Sequence, residues 1–169
     1  FPMKKTLRTI FKNGIWLTFP PLLFSLFLMS YLPDALTPAQ FNKDVPNVLV
    51  MGENIARIFV FSMPLFFSVG LATKMQKRGL TVYLIGIALY YLSYLVLIFA
   101  PDTAWSNSLF GFASPAYINI LWMVGLGLLG ENFYFTTRLQ YHPRFYIVPV
   151  AIFLAFHIAH TAIVYNRHF

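Results

Sequence analysis

Glu53 and Arg57 stand four residues apart inside a run, Val48 to Ala72, that is otherwise almost wholly apolar. On a helix this spacing puts both on one face, with the acid N-terminal to the base. Each charge costs roughly 2.5 to 3.5 kcal/mol at membrane depth even on lenient insertion scales, so such residues face a protein interior, pair, and mark function. Near the other end of the chain His157 and His160 lie i, i+3 on a second apolar run and therefore also share a face. A carboxylate, a guanidinium and two imidazoles can do several kinds of chemistry. Arg57 can hold an anionic group with Glu53 fixing its position; Glu53 with His157 or His160 can act as an acid-base pair, the catalytic candidates of this chain. His157, His160 and Glu53 can also form a two-histidine, one-carboxylate metal site, although an isolated HxxH is a weak signal and no cofactor is expected. The structural alternative is a buried Glu-Arg pair and two histidines that lock helices together by hydrogen bonds.

The elements that would position these groups follow from composition. Of 169 residues, 59% are hydrophobic and only 10% charged, whereas a soluble globular domain carries about 25% charged residues. The fold class is therefore all-α, a polytopic transmembrane helical bundle. Its net charge of +7 is carried mainly by short connections between apolar runs, where basic residues report topology and not a nucleic-acid partner. The absence of cysteine excludes disulfides and thiolate chemistry. Phe1 and Pro2 precede Met3 and read as a tag remnant.

Apolar runs of about 20 residues, the length that a ~30 Å hydrocarbon core requires, predict five spans near residues 15–32, 48–72, 80–100, 112–130 and 145–165. They form a single domain, 15–165, preceded by a basic segment, 1–14, and followed by a tail, 166–169. Pro20 and Pro21 predict a kink in the first span near Trp16 and Leu17, or else an interfacial first segment. Residues 33–47, with three prolines, read as a polar connection, and Thr73 to Gly79 as a tight basic turn. The fourth span could continue as helix to Gln140. Lys4, Lys5, Arg8, Lys12, Lys74, Lys77, Arg78, Arg138 and Arg144 fall on one side and only Lys43 and Arg167 on the other. That asymmetry predicts the N-terminus inside and the C-terminus outside, in a plasma membrane of bacterial inner-membrane type.

With that orientation, a rise of 1.5 Å per residue places Glu53 and His160 about 7 Å below the outer interface and Arg57 and His157 about 12 to 13 Å. Asn119, Tyr94 and Ser25 come about 9 to 10 Å down by the same count. Polar groups of all five spans thus share the outer half, above an inner half that is nearly bare. The reading is a pocket for a small amphiphilic or anionic ligand, formed by Glu53, Asn54, Arg57, Tyr94, Asn119, Trp122, His157 and His160, with the tyrosines of span three lining its apolar part. Membrane lipids and a small amphiphilic ligand are the expected partners, with nucleic acid excluded and a homo-oligomer allowed. An integral membrane enzyme acting on a lipid-like substrate, and an assembly subunit without ligand, are the alternatives.

Two motifs do not carry function. Gly125-Leu126-Gly127-Leu128-Leu129-Gly130 matches GxGxxG, but no strand precedes it, and small residues in a span serve close helix approach. Glu53-x-x-x-Arg57 and Phe153-x-x-x-His157 resemble two motifs of the CAAX-protease-like intramembrane peptidases, which would imply a Glu/His hydrolytic centre. Gly52 stands where that family has a second glutamate, and no other span supplies a histidine, so the chain is not assigned to it.

Overall fold

The computed structural model describes residues 10–135 and 139–169. The expectations about Lys4, Lys5, Arg8 and Arg138, and about a tag remnant at Phe1 and Pro2, lie outside the described residues. Among the described residues there are seven α-helices and one two-stranded ribbon: α1 Phe19–Leu28, α2 Pro38–Phe41, α3 Asn47–Ser62, β1 Phe67–Val69, α4 Lys74–Phe99, α5 Leu109–Phe112, α6 Ser114–Leu129, β2 Gly130–Phe133 and α7 Arg144–His168. Among the described residues, four helical runs are long and apolar enough to cross a membrane: Gly14–Tyr31, Asn47–Phe66, Lys74–Phe99 and Arg144–His168. Helix α6 is a shorter apolar helix of 16 residues, about 24 Å long at 1.5 Å per residue. Helix α6 packs against α4 and α7, and α3 packs against α7, while α1 lies on α4.

The chain runs up and down between two ends. At one end Lys12 meets Glu131 at 3.4 Å, Asn13 bridges to Ser68, and Tyr141 donates to the Gly127 carbonyl. At the other end Tyr165 donates to the Asn107 carbonyl and Arg167 to the carbonyls of Gln40 and Lys43.

Several boundaries differ from the sequence expectation, each for a local reason. The first span is not one kinked helix. A 3-10 turn, Gly14–Leu17, ends at Thr18, and α1 begins with Pro20 and Pro21 in its first turn, where a missing N–H costs nothing. The second span stops being α-helical at Ser62, since Pro64 cannot continue the i−4 ladder; the chain passes through a 3-10 turn, Met63–Phe66, into β1. The fourth span does not continue as helix beyond Leu129. Gly130 turns extended at ψ 139°, and the strand that follows pairs antiparallel with β1, Phe67 opposite Phe133 and Ser68 opposite Asn132. The two segments leave their helices at the same end of the bundle and satisfy each other's backbone there, with Tyr134 N–H donating to the Phe66 carbonyl at 3.0 Å and Gly70 N–H to the Leu129 carbonyl at 2.9 Å, while Val69 N–H donates to the Lys12 carbonyl at 2.8 Å.

The basic segment after Thr73 is not a turn either: it is the first part of α4. Thr73 accepts from the Gln76 N–H while the Gln76 side chain accepts from the Thr73 N–H, a complete capping box. The polar connection 33–47 contains α2 and a 3-10 turn, Asp34–Leu36, and packs Ala35 and Val45 against Phe112 and Val164 as a small second core. The main core, built on Phe67, Trp122, Met123, Leu126, Tyr146 and Phe153, fills the space between the site and the ribbon. Close approach of α4 and α6 depends on Gly86, where a Cβ would stand 2.3 Å from the Trp122 nitrogen.

Candidate functional site

Glu53 is 1% exposed, and its carboxylate is the hub of a four-residue cluster. One helical turn along α3, Arg57 donates to Oε1. Across the helix interface, His157 Nδ1 lies 3.0 Å from Oε1 and His160 Nδ1 lies 2.5 Å from Oε2. The two helices come this close because Gly52 faces the ring of Phe156; a Cβ there would be 2.6 Å from the ring. A larger residue at 52 would push α3 away from α7 and open the Glu53–histidine bonds.

His160 is itself 1% exposed and has a second partner, the carbonyl of Phe41 in α2, 2.9 Å from Nε2. A carbonyl only accepts, so Nε2 carries a proton and donates. Phe41 also lays its ring against His160 with centroids 4.1 Å apart. The connection 33–47 thus folds over the cluster and is tied down twice, at His160 and at Arg167. Phe41 belongs to the site and was not among its sequence candidates. Its contribution is a backbone carbonyl delivered by tertiary docking, which no residue type announces.

Beside the cluster lies a cavity of about 440 Å³, with Leu22, Ser25 and Leu26 of α1, Arg57 and Phe61 of α3, Tyr90 and Tyr94 of α4, Asn119 and Trp122 of α6, and Phe153 and His157 of α7 on its walls. Of the eight sequence candidates, Arg57, Tyr94, Asn119, Trp122 and His157 reach this wall. Glu53 and His160 sit behind it as the buried support of Arg57 and His157. Asn54 is exposed on another face of α3 and does not join them. Among the span-three tyrosines, Tyr90 and Tyr94 line the cavity and are hydrogen-bonded at 3.1 Å. Tyr83 instead donates to the Leu17 carbonyl, and Tyr91 stacks on Phe24 at 3.8 Å, so these two fasten α1 to α4.

Asn119 Oδ1 accepts from the Trp122 indole N–H at 2.7 Å. Because an indole nitrogen only donates, this bond fixes the amide orientation and leaves the Asn119 NH₂ as donor. Arg57 keeps 44% of its side chain exposed despite its bond to Glu53. It is the one permanently charged side chain among the described residues of the cavity wall.

The residues weighed as metal ligands do converge, but on each other: both Nδ1 atoms are engaged with the Glu53 carboxylate. Among the described residues no group of three histidines or acids is arranged to hold a metal ion. No protein-family model matches the chain, and no curated protein or solved structure matches it significantly.

Proposed function

We propose that this chain is a five-span membrane protein, N-terminus inside and C-terminus outside, that binds a small amphiphilic or anionic ligand in the cavity beside Arg57. One observation carries the reading. A guanidinium held by a buried carboxylate keeps nearly half of its side chain exposed and lines a mostly apolar cavity, and an apolar pocket with few convergent polar groups is the usual form of a small-molecule site. In this reading Arg57 meets the ligand's polar group, Glu53 holds Arg57 in place, and Asn119 and His157 orient the ligand. Trp122, Phe61 and Phe153 floor the cavity and close it toward the main core.

The test is native mass spectrometry of protein purified in mild detergent. Wild type should carry a copurified small molecule, and Arg57→Leu should lose it. Wild type without any such molecule, in preparations that retain ordinary lipid, would favour a purely structural cluster.

A second reading is supported by His157, which lines the cavity with Nδ1 on Glu53, the arrangement by which a carboxylate orients a general base. The protein would then transform a lipid-like substrate. In that case His157→Gln protein should accumulate a precursor that differs in mass from what wild type carries. The same molecule bound to both would speak for a binder.

A further inference from the structure

The hydrogen bonds around Glu53 determine the charge of the site. His160 Nε2 donates to the Phe41 carbonyl, and its Nδ1 lies 2.5 Å from Glu53 Oε2. Two arrangements satisfy this geometry: a doubly protonated imidazole beside a carboxylate, or a neutral imidazole beside a carboxylic acid. Both leave the Glu53–His160 pair with zero net charge. Glu53 therefore orients Arg57 without cancelling it, and the cluster keeps the positive charge of Arg57.

The polar lining matches that sign. Arg57 can only donate, and Asn119 presents its NH₂ because its oxygen is occupied by Trp122. No carboxylate stands among the described residues of the wall, so nothing there would receive the cationic half of a zwitterion. Ser25, Tyr90, Tyr94 and His157 add polar atoms to a wall that is otherwise apolar, with Leu22 and Leu26 on α1, which packs on α4, and Phe61 on α3, which packs on α7. The exposed flanks of α1, including Leu26 and Phe27, are the kind of surface that faces lipid chains.

Building on the ligand-binding reading, we propose that the occupant is an amphiphile with an anionic headgroup. Its headgroup meets Arg57 and Asn119, and its chain lies along Leu22, Leu26 and Phe61. A neutral headgroup would leave Arg57 unmatched, and a cationic one would meet it with like charge.

The experiment measures equilibrium binding of defined probes to purified wild type in a neutral detergent. The probes are palmitate at alkaline pH, hexadecanol, hexadecyltrimethylammonium and butyrate. Palmitate should bind one per chain, about 10-fold or more tightly than hexadecanol, as one charge-assisted hydrogen bond implies. Butyrate and the cationic probe should not bind measurably. Arg57→Gln should bring palmitate down to the level of hexadecanol, and Arg57→Lys should keep most of the difference. Hexadecanol or the cation binding as tightly as palmitate would overturn the anionic class while leaving a ligand site in place. Butyrate binding as tightly as palmitate would overturn the amphiphile in favour of a water-borne anion. Binding of no probe would overturn both this inference and the binding function. The wild-type series decides these outcomes even if Arg57→Gln fails to fold.

Discussion

Glu53 and Arg57 form the pair that first draws the eye, yet the two residues do different work. Glu53 is bonded to three cationic or donor side chains, so removing it strands His157, His160 and Arg57 together. Glu53→Leu should therefore destabilise the protein by about 3 to 5 kcal/mol, the cost of breaking a buried charged set by deleting one partner. Arg57→Leu should cost under about 1 kcal/mol, because Glu53 keeps both histidines and Arg57 is half exposed. Thermal unfolding of both variants in one detergent checks the ordering, and equal losses would contradict it. Tyr146 offers a prediction of the opposite sign. Its hydroxyl is buried without a hydrogen-bond partner among the described residues, so Tyr146→Phe should leave stability unchanged or raise it by about 1 kcal/mol. A clear loss would reveal a partner for that hydroxyl. The residue types and the i, i+4 and i, i+3 spacings were legible in the sequence, because a charge in an apolar run is costly wherever it falls. Which histidine reaches the cavity was not legible, since His157 and His160 differ only in how α7 is rotated against α3.

At the scale of elements, apolar run length located every long helix, and local chemistry then moved the ends. The capping box at Thr73 and Gln76 is a sequence signal in its own right, and it outweighs the basic residues that made the segment look like a connection. The ribbon of β1 and β2 had no such signal. Phe67, Ser68 and Val69 pair with residues 61 to 66 positions away, and neither segment has the alternation or length of a strand read alone. The cap over the site is similar: α2 and its neighbours are polar, rich in proline, and dock on Val164, His160 and Arg167. Helix contact at Gly86 can be tested directly. A leucine there would collide with the Trp122 backbone, separating α4 from α6 just where Trp122 floors the cavity. Gly86→Leu should lower stability by at least the 1 to 3 kcal/mol typical of overpacking, roughly, and weaken ligand binding as well. Unchanged unfolding would mean that the two helices sit further apart than described.

For the whole molecule, the basic residues collect at one end, where Lys12, Lys74, Lys77, Arg78 and Arg144 lie, and Lys43 and Arg167 mark the other. The proposed orientation predicts that a reporter active only outside the cytoplasm works when fused after Phe169 and fails when fused after Gly79. Activity at Gly79 would reverse the orientation and place the cavity near the inner face. The central claim is that this cavity is open to small molecules and carries a net positive charge at Arg57. Because the chain has no cysteine, a single cysteine at Ser25, on the cavity wall, reports on that space without background. The most direct measurement is the rate at which Ser25→Cys protein reacts with an anionic and with a cationic methanethiosulfonate of similar size, compared with the same pair of rates after Arg57→Gln. The account predicts that the anionic reagent reacts faster in the Arg57 protein and that Arg57→Gln abolishes the preference. Equal rates in the Arg57 protein, or a preference for the cation, would contradict it.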